Sequence, residues 1–216
     1  PADDWIGERE ATSFMPAAMQ HQLPLDNEGP LYSPGFQASE DCLYLNVWTP
    51  QINSEKKCRD SKSLPVMVWF HGGGLLSGAS SLPLYDGAHL AAQGLVVVTV
   101  NYRLGVFGYF SHPELSEESP NNASGNYGLT DQIQSLHWVQ RNISAFGGDP
   151  SNVTVAGESA GALSVSQLLI SPLSEGLFAK AILQSAYLPP MPKLKVPCLD
   201  FGPAENIGLE FEKSLK

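Results

Sequence analysis

Two glycines flank a serine where a predicted strand meets a predicted helix. The segment 157–161 (Gly-Glu-Ser-Ala-Gly) follows the apolar run 153–156 and precedes the helix-like stretch 162–170. A sharp turn from strand to helix needs glycines where the two elements approach closely, and it exposes the hydroxyl of the corner residue. This context predicts a nucleophile elbow with Ser159 at its corner. The N–H of Ala160 then lies at a helix start, where free N–H groups and the helix dipole favour a developing oxyanion.

A second glycine-rich turn follows another predicted strand. His71 and the glycines 72–74 come directly after the apolar run 66–70. Three glycines let backbone N–H groups approach a substrate oxygen without obstruction by side chains, as acyl transfer requires. The alternatives are a plain flexible turn and a phosphate-binding loop. A phosphate loop needs a lysine after its glycines, and no lysine occurs between Lys62 and Lys180.

Apolar runs alternate with helix-like segments along the chain. The continuous apolar stretches 66–70 and 95–100 have the pattern of strands buried on both faces of a parallel sheet. Further strands are predicted at 43–48, 153–156 and 179–184, and helices at 86–93, 129–143, 162–170 and 204–216. Residues 1–40 are expected to form a loop-rich surface covering. This alternation predicts an open α/β architecture.

Charge and composition exclude several classes of partner. With 22 acidic against 12 basic residues the net charge is −10, which argues against nucleic acid and anionic membrane surfaces. No apolar stretch reaches the ~18 residues of a membrane span.

The three cysteines, Cys42, Cys58 and Cys198, show no metal-binding spacing. Cys42 and Cys58 either close a short loop or remain separate thiols. We therefore expect no metal and no cofactor.

Several ordered motifs together resemble the type-B carboxylesterase family, the cholinesterase-like branch of the α/β hydrolases. Besides the two glycine motifs they lie at 39–46, 101–105, 125–132 and 146–150, and the resemblance runs from about Trp5 to the end of the chain. It implies an α/β-hydrolase fold, with a mostly parallel central sheet flanked by helices.

The resemblance also implies roles for individual residues. Ser159 is expected to be the nucleophile of ester hydrolysis through an acyl-enzyme. The backbone N–H groups of Gly73, Gly74 and Ala160 are expected to form the oxyanion hole. Glu158 is similar to the family's acidic residue beside the nucleophile, which supports a cationic histidine in the transition state.

An ion pair is implied for Arg103. By resemblance its partner is expected to be Asp149 or Glu40, with a structural rather than a catalytic role. Asp131, at the start of a predicted helix, is expected to cap or brace that helix rather than to take part in catalysis.

Two departures from the family pattern bear on substrate and disulfides. Secreted members pair the cysteine matching Cys42 with one near position 18, but residues 15–20 contain no cysteine, so this disulfide is not expected. Choline-ester enzymes place a tryptophan within 19–41 to hold a quaternary ammonium, and none occurs here. The resemblance therefore favours a general esterase for small to medium uncharged esters over a cholinesterase.

The chain contains no histidine after Ser159, although the hydrolase order is nucleophile, acid and then histidine. The five histidines, His21, His71, His89, His112 and His137, all precede the nucleophile and have ordinary structural explanations. The acids after it have no family motif, so none is assigned: Glu175, Asp200, Glu205, Glu210 and Glu212.

We therefore expect residues 1–216 to be an incomplete α/β-hydrolase domain that lacks the first strands and the half carrying acid and histidine. Its partners are an ester substrate and the remainder of the same domain. The alternatives are a non-catalytic cholinesterase-like binding or adhesion module and an inactive fragment. Ser159 counts against the module, because such relatives commonly lack the serine.

Overall fold

The computed structural model describes residues 7, 10–20, 37–50, 63–187 and 191–216. Their strands are β1 (Ala17–Ala18), β2 (Ala38–Ser39), β3 (Leu45–Trp48), β4 (Leu64–Phe70), β5 (Val96–Val100), β6 (Gly148–Glu158) and β7 (Lys180–Gln184). The α-helices are α1 (Ala88–Ala91), α2 (Gly105–Tyr109), α3 (Pro113–Glu118), α4 (Tyr127–Asn142), α5 (Ala160–Ile170) and α6 (Ala204–Ser214). Short 3-10 turns lie at Pro83–Tyr85, Ile143–Phe146 and Pro172–Ser174.

Five strands form one sheet in the order β3-β5-β4-β6-β7. The pairs β4–β5, β4–β6 and β6–β7 are parallel, and β3 is antiparallel to β5. Strands β1 and β2 form a separate two-stranded parallel pair. The mostly parallel sheet with its helices confirms the predicted α/β-hydrolase class.

The main core lies between one face of the sheet and two helices. Side chains alternate along a strand, so residues 66, 68 and 70 of β4 share a face with 96, 98 and 100 of β5 and with 153 and 155 of β6. These side chains pack with Leu136 and Val139 of α4 and with Val165 and Leu168 of α5. All are buried, and in β5 the residues on the opposite face, Val97 and Thr99, are buried as well, in keeping with its continuous apolar sequence.

The predicted elements are present with shifted ends, and two helices were not predicted. The predicted helix 86–93 shrinks to the four residues of α1, and the chain leaves it through Gly94 at φ 90°. Helices α2 and α3 were not predicted, because both are short and carry no apolar periodicity. In the described part of the expected N-terminal covering, 7, 10–20 and 37–40, only β1 and β2 are regular.

The predicted partner of Arg103 is wrong. Its guanidinium donates two hydrogen bonds to Asp131, from Nε at 2.8 Å and from Nη2 at 2.7 Å, and its backbone N–H donates a third at 3.1 Å. Asp149 instead accepts from the N–H and hydroxyl of Ser151. The side chain of Asp131 is only 6% exposed, and its hydrogen bond raises the pKa of Arg103. Asp131 therefore braces α4 against the end of β5, in keeping with the structural role expected of it.

The buried Cys42 is a free thiol. Burial raises its pKa to about 11, and the charge of Asp131 contributes in the same direction. Cys198 is also free, whereas Cys58 lies outside the described residues.

The described residues contain neither a membrane-spanning helix nor a metal-binding cluster. None of their helices is both long and apolar enough to cross a membrane. In the same part of the chain, no cluster of three or more His, Cys, Asp or Glu side chains is arranged to hold a metal ion.

The Arg103→Ala variant is expected to lower the free energy of unfolding by about 2–3 kcal/mol, because it leaves the buried carboxylate of Asp131 without its cation. Urea unfolding measures this loss. The control is Arg141→Ala, at the exposed end of α4, which should change stability by no more than about 0.5 kcal/mol. Equal effects of the two changes would contradict the assignment of a bracing role.

Candidate active site

Ser159 occupies a strained corner between β6 and α5. Its backbone angles are φ 52° and ψ −120°, in a region that residues other than glycine rarely adopt. Hydrogen bonds hold the corner on both sides: its N–H donates to the carbonyl of Gln184 at 2.9 Å, and its carbonyl accepts from the N–H of Leu163 at 2.9 Å. The strain therefore falls on the residue predicted to be the nucleophile.

The two glycines of the elbow allow the strand and helix to touch. A Cβ added to Gly161 would lie 2.0 Å from the carbonyl oxygen of Phe70, at the end of the neighbouring strand. A Cβ on Gly157 would lie 2.4 Å from the carbonyl carbon of Gly161. Neither position can hold a larger side chain unless the backbone moves, so the glycines fix how closely α5 approaches the sheet.

The loop that follows β4, residues 71–78, is here called the glycine loop, and it lies beside the elbow because β4 and β6 are adjacent and in register. Phe70, the last residue of β4, pairs with Gly157. A Cβ on Gly72 would lie 3.2 Å from Cβ of Ser159 and 2.9 Å from Oε2 of Glu158. Parallel strands end at the same edge of the sheet, and this register brings two motifs 85 residues apart into contact.

The glycine loop has a backbone that requires glycine. Gly73 has φ 107° and Gly74 has φ 65°, both in the left-handed region. The carbonyl of Gly73 accepts from the N–H groups of Leu76 and Ser77, each at 3.1 Å, which closes the loop into a turn. Ala160 begins α5, where the first N–H groups have no acceptor within the helix. Two sources of backbone donors therefore flank the Ser159 corner.

His71 is a buried structural group. Its side chain is 1% exposed, and Nδ1 lies 2.7 Å from the carbonyl oxygen of Gly72. A carbonyl only accepts, so Nδ1 carries the hydrogen. Burial lowers the pKa of His71 to about 4. Its ring stacks on the ring of Tyr102, with 4.5 Å between the ring centroids. The Tyr102 hydroxyl donates to the His71 carbonyl at 2.6 Å. At neutral pH His71 is therefore uncharged and holds the start of the glycine loop.

Glu158 lies between the glycine loop and Tyr85. Oε2 of its carboxylate lies 2.9 Å from the position that a Cβ on Gly72 would occupy. Burial raises the pKa of Tyr85, and the charge of Glu158 raises it further. The structure thus places the predicted supporting acid beside both Ser159 and the loop.

No imidazole of the described residues forms a hydrogen bond with the hydroxyl of Ser159. His89 and His137 are exposed on helices, and Nδ1 of His112 accepts from the N–H of Glu114 at the start of α3. His21 lies outside the described residues.

Two of the five unassigned acids have structural partners. Glu205 accepts from the hydroxyl of Ser116 at 2.6 Å, and Glu212 pairs with Lys216. The described part of the chain therefore provides a strained serine corner with backbone N–H groups beside it, and no base is paired with that serine.

Comparison with known proteins gives concordant matches. The sequence model of the carboxylesterase family matches residues 1–192. The chain is 47% identical over 210 residues to a fumonisin B1 esterase of Sphingopyxis macrogoltabida, covering 97% of this chain and 36% of that protein. It is 48% identical over 186 residues to a para-nitrobenzyl esterase of Bacillus subtilis (strain 168), covering 86% of this chain and 35% of that protein.

A solved PNB esterase structure superposes with a TM-score of 0.78 at 45% identity, covering 95% of this chain and 38% of that chain. The chain thus spans about a third of the length of the curated relatives it matches.

Gly161→Ala is expected to lower the free energy of unfolding by about 2–3 kcal/mol, because the new Cβ forces α5 away from Phe70. This loss is expected although alanine has a more favourable helix propensity than glycine, by ~1 kcal/mol. Chemical denaturation measures it. Gly202→Ala is the control, since a Cβ there would meet no atom within 4 Å. If Gly161→Ala were as harmless as Gly202→Ala, the tight contact would be refuted.

The buried His71 predicts a specific pH dependence of stability. The unfolded imidazole titrates near 6.5 and the folded one near 4, so the unfolded state binds the extra proton between these values. The stability from this group is complete above pH 6.5 and falls by up to about 3 kcal/mol as the pH drops to 4.

The His71→Asn variant tests this dependence, because asparagine keeps a donor and does not titrate. We expect urea unfolding of the variant to have a shallower pH slope than the wild type over this range. Parallel slopes would show that His71 is not buried in its neutral form.

Proposed function

The chain belongs to the carboxylesterase family, and we propose that it supplies the nucleophile and the oxyanion-binding backbone of a serine carboxylester hydrolase. The observation that carries the proposal is the strained Ser159 corner in contact with the glycine loop. Strain of this kind costs ~1–3 kcal/mol and is found where function requires it. Curated relatives at 47% and 48% identity are named esterases, which supports the same reaction here.

The proposed reaction begins with attack by Oγ of Ser159 on the ester carbonyl carbon. A histidine outside this sequence removes the hydroxyl proton, and the carbonyl oxygen becomes an oxyanion. The oxyanion accepts hydrogen bonds from the N–H groups of Gly73, Gly74 and Ala160. One donor of this type contributes ~3 kcal/mol to lowering the barrier.

Collapse of the tetrahedral intermediate breaks the bond to the alcohol, which leaves with the proton from the histidine. Water then attacks the acyl-enzyme by the same route, releasing the acid and restoring the Ser159 hydroxyl. Glu158, beside Gly72, is the proposed support for the charged histidine in both steps.

We propose that further polypeptide of the same hydrolase domain completes the site and supplies the acid and the histidine. Strand β7 lies at one end of the sheet and pairs only with β6 among the described strands. Its side chains Ile182 and Leu183 are 45% and 37% exposed, and on the nearby α5 Ile170 is 78% exposed. An open strand edge beside exposed apolar side chains is a surface that proteins normally cover.

The proposed substrates are small to medium uncharged carboxylic esters. The relatives are named for esters of different kinds, fumonisin B1 and para-nitrobenzyl esters, which agrees with a general esterase. The sequence has no tryptophan within 19–41 to hold a quaternary ammonium, so choline esters are disfavoured.

Fluorophosphonate labelling tests the nucleophile. In the intact protein we expect one adduct, on Ser159, and none in the Ser159→Ala variant. Ser151→Ala removes an exposed serine from the same strand and should label like the wild type. Residues 1–216 alone should react at least ~10³-fold more slowly, because a serine without its base is a poor nucleophile. Mass spectrometry locates the adduct. Labelling that persists in Ser159→Ala would reject the proposal.

A further inference from the structure

The side chain of Gln20 ties the N-terminal segment to the far end of the glycine loop. Its Oε1 accepts from the N–H of Gly78 at 2.8 Å, and its Nε2 donates to the carbonyl of Gly78 at 2.8 Å. Nε2 also donates to the carbonyl of Ala18 at 3.0 Å. One amide thus satisfies both backbone groups of a glycine 58 residues away, as a neighbouring strand would.

Gly78 in turn lies against the beginning of the loop. A Cβ there would be 2.5 Å from Nδ1 of His71 and 2.9 Å from the carbonyl oxygen of Gly72. Those two atoms form the hydrogen bond that fixes the His71 ring. With φ 116°, position 78 also has a backbone that L side chains rarely adopt. The end of the loop therefore sets the position of its start, which contacts Ser159.

Between these ends the loop is closed on itself. A Cβ on Gly73 would lie 2.0 Å from the carbonyl oxygen of Ser77, so the two backbones are in direct contact. The carbonyl of Leu75 accepts from the N–H of Gly105 at 2.8 Å. Because the turn is closed in this way, we expect its N–H groups to shift together when one of its attachments is lost.

We propose that Gln20 is a positioning residue for the oxyanion-binding loop: it holds Gly78 so that the N–H groups of Gly73 and Gly74 stay aligned with Ser159. This inference rests on the proposed function. Gln20 acts through the loop and does not touch the reacting atoms.

The pair of hydrogen bonds between Gln20 and Gly78 requires an amide side chain of this length. A carboxylate can accept from the N–H of Gly78, but it cannot donate to the carbonyl and places one oxygen against another. Alanine removes both hydrogen bonds with Gly78 and the one with Ala18. Gln20→Glu and Gln20→Ala are therefore both expected to release the loop, although glutamate keeps the size and one of the two hydrogen bonds with Gly78.

The test is hydrolysis of para-nitrophenyl acetate by the intact protein. We expect Gln20→Ala to lower kcat about 10- to 100-fold with little change in KM, because oxyanion alignment matters in the transition state. Affinity for a trifluoromethyl ketone, which forms the tetrahedral adduct, should fall by a similar factor. Affinity for a planar amide analogue of the substrate should stay the same.

Gln140→Ala is a matched control. Gln140 is also part-buried, and its amide also donates to two backbone carbonyls, those of Pro150 and Leu177 at 2.8 and 2.9 Å, away from the loop. We expect it to lose comparable stability while kcat and ketone affinity stay at the wild-type level. Equal kcat in Gln20→Ala and Gln140→Ala, with Ser159→Ala inactive, would overturn the positioning role. Full activity in Ser159→Ala would instead overturn the proposed function.

Gln20→Glu provides an independent readout and serves if Gln20→Ala does not fold. Protonation of the new carboxyl group restores a donor to the Gly78 carbonyl. The ratio of kcat in this variant to kcat in the wild type should therefore rise as pH falls from 7 towards 5. A ratio that does not change with pH would contradict the proposed positioning role of Gln20.

Discussion

The site depends on the parallel pairing of β4 with β6. Phe70 pairs with Gly157, so the chain leaves both strands at the same level of the sheet edge. The glycine loop and the elbow therefore meet. A shift of one residue in this register would reverse the side-chain faces and separate Gly72 from Ser159. The buried valines of the central strands fix the register, because only one alignment puts their common face against α4 and α5.

A network of neutral hydrogen bonds supports the loop behind this pairing. The Asn101 side chain accepts from the N–H of Ser80 at 2.8 Å, and the Thr99 hydroxyl donates to the Ser80 carbonyl at 2.9 Å. Together with Tyr102 and His71, these groups satisfy buried backbone atoms at both ends of the irregular segment 71–80, which would otherwise lose their hydrogen bonds with water. None of these four side chains carries a charge at neutral pH.

The sequence predicted what depends on local backbone chemistry. The glycines at 72–74, 157 and 161, next to apolar runs, pointed to the two turns because only glycine allows the backbones to approach so closely. Long-range partners were harder to predict. Nothing in the spacing reveals that Asp131, the fifth residue of α4, pairs with Arg103, and the family resemblance pointed to other acids. Gln20 lies in a loop-rich segment without periodicity, so only the structure shows what it holds.

The central claim is that Ser159 and the backbone donors around it form one oxyanion-binding unit. Its most direct test is a crystal structure of the intact protein after reaction with diethyl para-nitrophenyl phosphate. We predict phosphorus bonded to Oγ of Ser159 and the phosphoryl oxygen within about 3 Å of the N–H groups of Gly73, Gly74 and Ala160. An adduct on another residue, or a phosphoryl oxygen that faces solvent, would contradict the account.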